Sequence, residues 1–297
     1  MLTRLRVTGY KSFRDATLSA GPLCVLVGPN ASGKSNLFDA LRLLSAWVSR
    51  PSLASAFEHH RGTALEAFHR SARTMEEMLG QRSLSMGFEC DVRLSPQTVE
   101  VVERAVQAAA GQSEGSAVTH DYLRYRVTVE LTPASGKLRV TDERLLALRR
   151  DGRPKVSRMP FLSVEEVAGP GSDTRLHLRR EAGGHPYFHE IGLDHTILSE
   201  PLYPPHFAHA VAFREELKGW RTHVLDSSGL CAGAPWANGA LAPDGRGLAV
   251  MLHQVAAEQP AEFARLIDHL RELVPIVDGL QVEVGRDGAP ELRIVEQ

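Results

Sequence analysis

The stretch from Leu23 to Trp47 reads LCVLVGPNASGKSNLFDALRLLSAW. It opens on an apolar run, Leu23 to Val27, of strand length and β-rich composition, so a buried strand is predicted there. Gly28-Pro29-Asn30-Ala31-Ser32-Gly33-Lys34-Ser35 follows and satisfies G-x-x-x-x-G-K-[ST] at every fixed position. Leu37, Leu41, Leu44 and Val48 then recur at helical spacing, with Phe38 beside them. Strand, glycine loop and helix in that order are the context in which this motif holds phosphate.

The chemistry follows from the residue types. Gly28 and Gly33 remove side chains where the backbone must curl round a phosphate. The loop N–H groups then turn inward as an anion nest. A helix opening at about Gly33 adds unpaired N–H groups and the positive end of its dipole. Lys34 supplies a point charge for β- and γ-phosphates, and the Ser35 hydroxyl is the expected Mg²⁺ ligand. Gly28 to Ser35, with Asn36 after them, are therefore the candidate site for ATP and Mg²⁺. The competing reading, a glycine turn that only joins a strand to a helix, makes coincidences of all four fixed positions and both flanks.

GPNASGKSN, with Asn30 inside the loop and Asn36 after it, resembles the loop of the ABC-type ATPases of the RecF, SMC and OLD (overcoming lysogenization defect) group. The opening residues Leu2 to Asp15, LTRLRVTGYKSFRD, look like that group's first strand and "FKSF" turn. Leu241-Ala242-Pro243-Asp244-Gly245-Arg246-Gly247-Leu248 is similar to an "L-x-P-D-G-x-N-L" segment of its stand-alone bacterial AAA-type ATPases, with Gly247 in place of the usual Asn. The resemblance covers the N-terminal portion and implies an α/β fold, a P-loop NTPase core of ABC-ATPase head type with an inserted antiparallel β-lobe. It implies ATP sandwiched between two heads of a dimer, a role in DNA repair or anti-phage defence, and DNA as a candidate partner. It also implies a basic residue of the turn near the nucleotide; Lys11 and Arg14 are the candidates, against a plain solvated hairpin.

The chain has 297 residues, 43% of them apolar, enough for a large core, and a net charge of −2, so no global basic signature marks it for nucleic acid. Its three cysteines, Cys24, Cys90 and Cys231, lie far apart, which indicates neither a disulfide framework nor a zinc site. No signal peptide or membrane span is read, so a cytoplasmic protein is expected.

Along the chain, Leu5 and Val7 face inward on a first strand, and a second short strand is read at Ala16 to Leu18. Arg50 to Gln81 is polar and loosely helical, with His59, His60 and His69 as surface histidines lacking zinc spacing. Leu84 to Val92 alternates as a half-buried strand. Pro96 to Ala110 is a helix capped by Ser95. Strands follow at Leu123 to Leu131, Leu138 to Thr141 and Arg144 to Arg149, then run on to about Arg179, forming an antiparallel meander beside the P-loop core as a separate lobe. His185 to Glu190 places two histidines at i, i+4, but Pro186 and Gly183-Gly184 argue for a loop rather than a zinc helix. Helices are predicted from Phe207 to Lys218, Gly247 to Ala257 and Ala261 to Leu273. Trp236 is expected to be packed, and strands at Leu280 to Val284 and Leu292 to Val295 finish the chain. Three regions result: 1–50 starts the ATPase core, 51–205 is the helical and β-lobe, and 206–297 is helical with final strands.

A P-loop hydrolase needs a second acidic element: an apolar strand ending in Asp, with Glu beside it in ABC-type heads. Ile276-Val277-Asp278 and Val224-Leu225-Asp226 are too short for it, and no L-S-G-G signature is found, so the catalytic residues are unassigned. In the resembled family both elements lie further toward the C-terminus. The expectation is an N-terminal half to two-thirds of such an ATPase, working as a homodimer or with a complementing C-terminal half. Without the strand that normally neighbours the P-loop strand, an apolar edge is exposed, and poor solubility or an obligate partner follows. Two functions stay open: an ATP-hydrolysing head, or a nucleotide-binding regulatory or structural module without turnover. A transporter nucleotide-binding subunit fits less well, given the β-lobe, and a small GTPase would need an N-K-x-D segment.

Overall fold

The computed structural model describes residues 1–58, 60–70, 74–110, 116–155, 159–167, 173–181, 183, 185–231, 241–285, 288 and 290–297. They form two compact units, Met1–Trp220 and Arg221–Gln297. Among the described residues no helix is long and apolar enough to cross a membrane.

The first unit is a mixed α/β structure around one large antiparallel sheet. Strand β1 (Leu2–Tyr10) buries Leu5 and Val7 and turns Arg4 and Arg6 to the other face, as its alternation dictates; Tyr10, out of that phase after Gly9 at φ 64°, is buried as well. It turns through Lys11, at φ 42°, into β2 (Phe13–Ser19), longer than the three residues its apolar pattern marks. Helix α1 (Lys34–Trp47) follows the glycine loop. Two short helices, α2 (Ala64–Ala67) and α3 (Met75–Leu79), cross the polar stretch; Thr63 and Glu66 form a capping box at the first. This region is less loose than its composition suggests, since Leu53, Ala56, Ala67, Phe68 and Met78 are all buried. Nor are its histidines plain surface groups: His60 Nε2 pairs with the Tyr10 hydroxyl at 2.8 Å, and His69 Nδ1 donates to the Lys11 carbonyl at 2.7 Å. His59 lies outside the described residues.

Strand β3 (Leu84–Arg93) and helix α4 (Pro96–Ala110) match their sequence patterns, with Ser95 Oγ accepting the Thr98 N–H at 3.2 Å. Strand β4 (Tyr122–Thr132) turns into β5 (Lys137–Ala147). The two strands read at Leu138–Thr141 and Arg144–Arg149 are one strand. Thr128 pairs with Asp142 but Val129 with Val140, so Thr141 is an extra residue, a bulge that shifts the alternation and mimics a break. Strands β6 (Leu162–Val167), β7 (Asp173–Leu178) and β8 (Tyr187–Glu190) complete the sheet; Tyr187–Glu190 is thus a strand where a loop was predicted, because it pairs with Arg175 to Leu178. Helix α5 (Ala208–Lys218) ends the unit.

The strand order is β2-β1-β3-β4-β5-β6-β7-β8. The meander is therefore not a detached lobe: β1 pairs with β2 on one side and β3 on the other, joining the N-terminal hairpin to the meander in one sheet. Helices α1 and α5 cover one face, where Trp47 packs on Phe88 at 5.1 Å between ring centroids and Tyr125 on Phe213 at 5.3 Å. Each such buried ring is worth about 2–3 kcal/mol over exposure. The opposite face carries cross-strand ion pairs, Arg4–Glu89, Arg6–Asp15, Arg124–Asp91 and Arg126–Asp142.

The strand predicted at Leu23 to Val27 does not form. These residues belong to no strand, with Leu23, Val25 and Val27 at 84%, 74% and 91% exposure. A central P-loop strand needs neighbours on both edges and apolar layers on both faces, and no described strand lies beside this one. Its backbone polar groups are left to water.

The second unit contains α6 (Ser227–Cys231), α7 (Leu248–Glu258), α8 (Pro260–Leu273), β9 (Val277–Val284) and β10 (Pro290–Glu296), the two strands pairing antiparallel. Pro260 stands in the first turn of α8, where its missing N–H costs nothing. Gly247, at φ 87°, opens α7. The Pro243-Asp244-Gly245 turn hydrogen-bonds Val224 and Asp226 through its carbonyls at 2.7 and 3.2 Å. Trp236 lies outside the described residues.

Candidate functional site

The glycine loop begins at Gly28 and passes into α1 at Lys34. Two left-handed residues shape it, Ala31 at φ 64° and Gly33 at φ 94°, the latter as N-cap. A Cβ on Gly28 would stand 2.9 Å from Ser32 Oγ, and one on Gly33 3.0 Å from Ser12 Oγ, so both positions are cradles that a side chain would fill. No side chain caps α1, and its first turn carries no acidic residue. The first amides of this helix, with the dipole behind them, are therefore arranged for an anion from outside the loop.

Lys34 lies over the loop. Its Nζ donates to the carbonyls of Gly28 at 2.6 Å and Pro29 at 2.7 Å, with Ser32 Oγ at 3.4 Å. Pro29, Asn30, Ala31 and Ser35 are exposed beside it. The fixed motif positions Gly28, Gly33, Lys34 and Ser35 thus fall within one turn of backbone and one helix start.

Behind the loop, α1 is wired to two other elements. Asn36 Nδ2 donates to Ser12 Oγ at 2.9 Å, and Arg61 donates to Asn36 Oδ1 at 3.1 Å. Lys11 Nζ and Arg61 Nη2 both reach Asp39 Oδ2, at 2.7 and 2.9 Å. Lys11, read as a candidate nucleotide contact, is committed to Asp39 and to the Arg61 carbonyl instead; Arg14 is an exposed strand residue. Ser12, Asp39 and Arg61 were not singled out from the sequence. Ser12 could have been, since it sits in the Lys11-Ser12-Phe13 turn; Arg61 offers no local signal. Burial, opposed by the Gly62 carbonyl and reinforced by the Lys11 charge, lowers the pKa of His60, so that ring accepts from or donates to Tyr10 as a neutral group.

Neither acidic triplet weighed for the missing element is built as one. Asp226 stands just before α6 and receives the Ser228 hydroxyl, while Asp278 is a surface residue paired with Arg271. Two histidines of the 185–195 region serve carboxylates: His195 Nε2 lies 3.1 Å and His189 Nδ1 3.7 Å from Glu200.

A family model described as "AAA domain, putative AbiEii toxin, Type IV TA system" matches residues 23–74. The "Chromosome partition protein Smc" of Thauera aminoaromatica is 28% identical over 173 residues, 57% of this chain and 13% of that protein. That of Desulfitobacterium hafniense (strain Y51) is 33% identical over 116 residues, 37% of this chain and 9% of that protein. Across the curated relatives it matches, the chain spans between 4% and 14% of their length. A solved structure described as "Structural biochemistry of ATP-driven dimerization and DNA stimulated activation of SMC ATPases" overlaps 47% of this chain and 67% of its own, at 13% identity and a TM-score of 0.28. The glycine loop and α1 fall inside the matched family segment, and over this N-terminal portion the chain resembles the RecF/SMC/OLD-like ABC-type ATPases.

Proposed function

We propose that the chain binds MgATP through Gly28 to Asn36, as part of the head of a RecF/SMC/OLD-like ATPase. The observation that carries this reading is the uncapped, non-acidic start of α1 beneath a left-handed loop whose lysine lies over its own carbonyls. With nucleotide bound, Lys34 would exchange the Gly28 and Pro29 carbonyls for phosphate oxygens, the loop amides would hold further ones, and the Ser35 hydroxyl would serve as a Mg²⁺ ligand. Bound MgATP would supply the phosphoryl-transfer energy that opens and closes such heads. The network of Ser12, Asn36, Asp39 and Arg61 holds the loop's helix in register with the β1–β2 turn.

Hydrolysis needs a carboxylate next to the loop. Among the described residues Asp39 is the acidic group of α1, and it is held between two cations. We therefore favour a head that turns over only when another segment, from a second copy or a complementing half, adds strands to Leu23–Val27. A nucleotide-binding module without turnover is the second reading, favoured by the same lack of an acidic strand. DNA, if a partner of the whole protein, is not expected on the open sheet face, whose arginines are paired with carboxylates and release few counterions.

The test is MgATP binding and phosphate release by the purified chain and by Lys34→Ala. Binding weakened at least about tenfold by the substitution, without turnover by the chain alone, is the expected result. Turnover abolished by the substitution would place a catalytic carboxylate within these residues. Equal binding by both proteins would refute the site.

A further inference from the structure

A second cavity, of about 450 Å³, shares no residue with the glycine loop. Its size falls in the range of small-molecule sites, roughly 300–1,000 Å³. Five separated segments wall it: the end of α4, residues 116–120 before β4, Phe161 before β6, residues 179–181 after β7, and the start of α5.

Its floor is a closed hydrogen-bond unit. Buried His209 gives its backbone N–H to Glu181 Oε1 at 3.0 Å and its Nδ1–H to Glu181 Oε2, while its Nε2 accepts the His120 N–H at 3.0 Å. That pattern makes Nδ1 the donor and Nε2 the acceptor of the ring. It also takes up both oxygens of Glu181 at the N-terminus of α5. Glu103, outside the wall, is likewise engaged, holding the Ser116 hydroxyl and the N–H groups of Ala117 and Val118.

Two cations belong to the same wall. Phe161 stacks on His209 with one face, ring centroids 4.1 Å apart, and carries the Arg179 guanidinium 4.7 Å over its centroid. Arg180 Nη2 donates to His206 Nε2 at 2.6 Å, and its Nε is buried with no hydrogen-bond partner among the described residues. Burial and the neighbouring Arg180 both lower the His206 pKa, so this ring takes none of the positive charge away. Among the described residues the wall thus carries two guanidiniums and one carboxylate, Glu181, whose two oxygens are both taken up by His209. The Arg180 guanidinium thus keeps hydrogen-bonding capacity that no described residue takes up. The remaining wall is apolar, including Val106, Ala117 and Ala208.

We propose that this cavity binds a small organic oxyanion, its carboxylate or phosphomonoester head on Arg180 and Arg179 and its apolar body against Val106, Ala117 and Ala208. The guanidinium fork suits a planar or tetrahedral oxyanion, and the apolar wall excludes a fully solvated inorganic ion as the preferred ligand.

The experiment is calorimetric titration of the full chain with phenyl phosphate and with benzoate, on wild type, Arg180→Gln, Ala117→Phe and Lys34→Ala. The expected result is binding of at least one probe, weakened about tenfold or more by Arg180→Gln and by the cavity-filling Ala117→Phe, and unchanged by Lys34→Ala. Which probe binds identifies the head group. If Arg180→Gln does not fold, Ala117→Phe, at a partly exposed position, carries the comparison. No binding of either probe to wild type overturns the proposal. So does binding that survives both cavity substitutions, or binding lost in Lys34→Ala, which would assign it to the glycine loop.

Discussion

Lys11 Nζ lies 2.7 Å from Asp39 Oδ2, with 12% and 11% of the two side chains exposed, and Arg61 reaches the same oxygen from the solvent side at 61% exposure. The pair ties the β1–β2 turn to the helix that follows the glycine loop. Removing the carboxylate leaves a nearly buried ammonium without its counterion. Asp39→Ala is expected to cost about 3 kcal/mol, and Arg61→Ala under about 1 kcal/mol because its charge is largely screened. Urea denaturation of the two variants measures this; equal costs would mean that Asp39 is held by Arg61 rather than by Lys11.

Glu143 is fully buried, accepting from the Tyr125 hydroxyl at 2.8 Å and the Ile197 N–H at 2.8 Å. Burial outweighs these donors and pushes its pKa from 4.5 up to about 7. Between those values the native state holds a proton that the unfolded chain has released, so stability is greatest below the lower value and falls as pH rises through about 7. Glu216 works in the opposite sense: burial alone would raise its pKa, but the Ser95 N–H, the N-terminal ammonium and the Thr98 hydroxyl lower it, so its contribution is lost as pH falls toward acid. The two windows do not overlap. Glu143→Gln should flatten the stability profile between pH 4.5 and about 7 and leave the acid limb in place; parallel profiles for wild type and variant would contradict the assignment.

Gly9 sits at φ 64°, where a Cβ would lie 2.2 Å from the Ser85 carbonyl oxygen of the neighbouring strand. Neither the dihedral nor the contact can be relieved without parting β1 from β3. Gly9→Ala is expected to destabilise by more than about 3 kcal/mol, read as the denaturation midpoint. A loss under about 1 kcal/mol would show that the two strands separate here without penalty.

Leu23, Val25 and Val27 would be costly to replace if they formed a buried strand. Exposed as they are, Leu23→Ser, Val25→Thr and Val27→Thr should each change stability by no more than about 0.5 kcal/mol. The triple variant should also aggregate less in light scattering, because an apolar, unpaired segment is removed. A large fall in melting temperature would instead mean that the isolated chain packs these residues.

Where one neighbour decides burial, the sequence is legible. Leu84 to Val92 alternates because one face meets the helices, and Ser95-Pro96 marks the start of α4 with cap chemistry that needs no tertiary context. Thr141 broke the reading of β5 because a bulge changes the phase of alternation without ending the strand. Tyr187 to Glu190 follows a glycine- and proline-rich stretch, and only the β7 edge makes it a strand. The loop motif was complete in the sequence, but Asp39 and Arg61 meet across a separation that no local pattern records. The oxyanion cavity is assembled from five segments and was equally unreadable. Leu23 to Val27 shows the converse: composition writes a strand, while the neighbours that would bury it are not among the described residues.

The place of β1 in the sheet also orders events in time. Leu5 pairs locally with Leu18, but its other partner is Cys90, with the glycine loop, α1, α2 and α3 all in between. The β3–β4 pair, which spans α4, and the β4–β5 hairpin close over fewer residues. Closing the longer loop costs more chain entropy, so the nucleus of folding is expected in the meander, and the hairpin bearing the glycine loop docks onto it afterwards. During synthesis the glycine loop leaves the ribosome before β3 does, and it waits for that strand with its apolar segment in water.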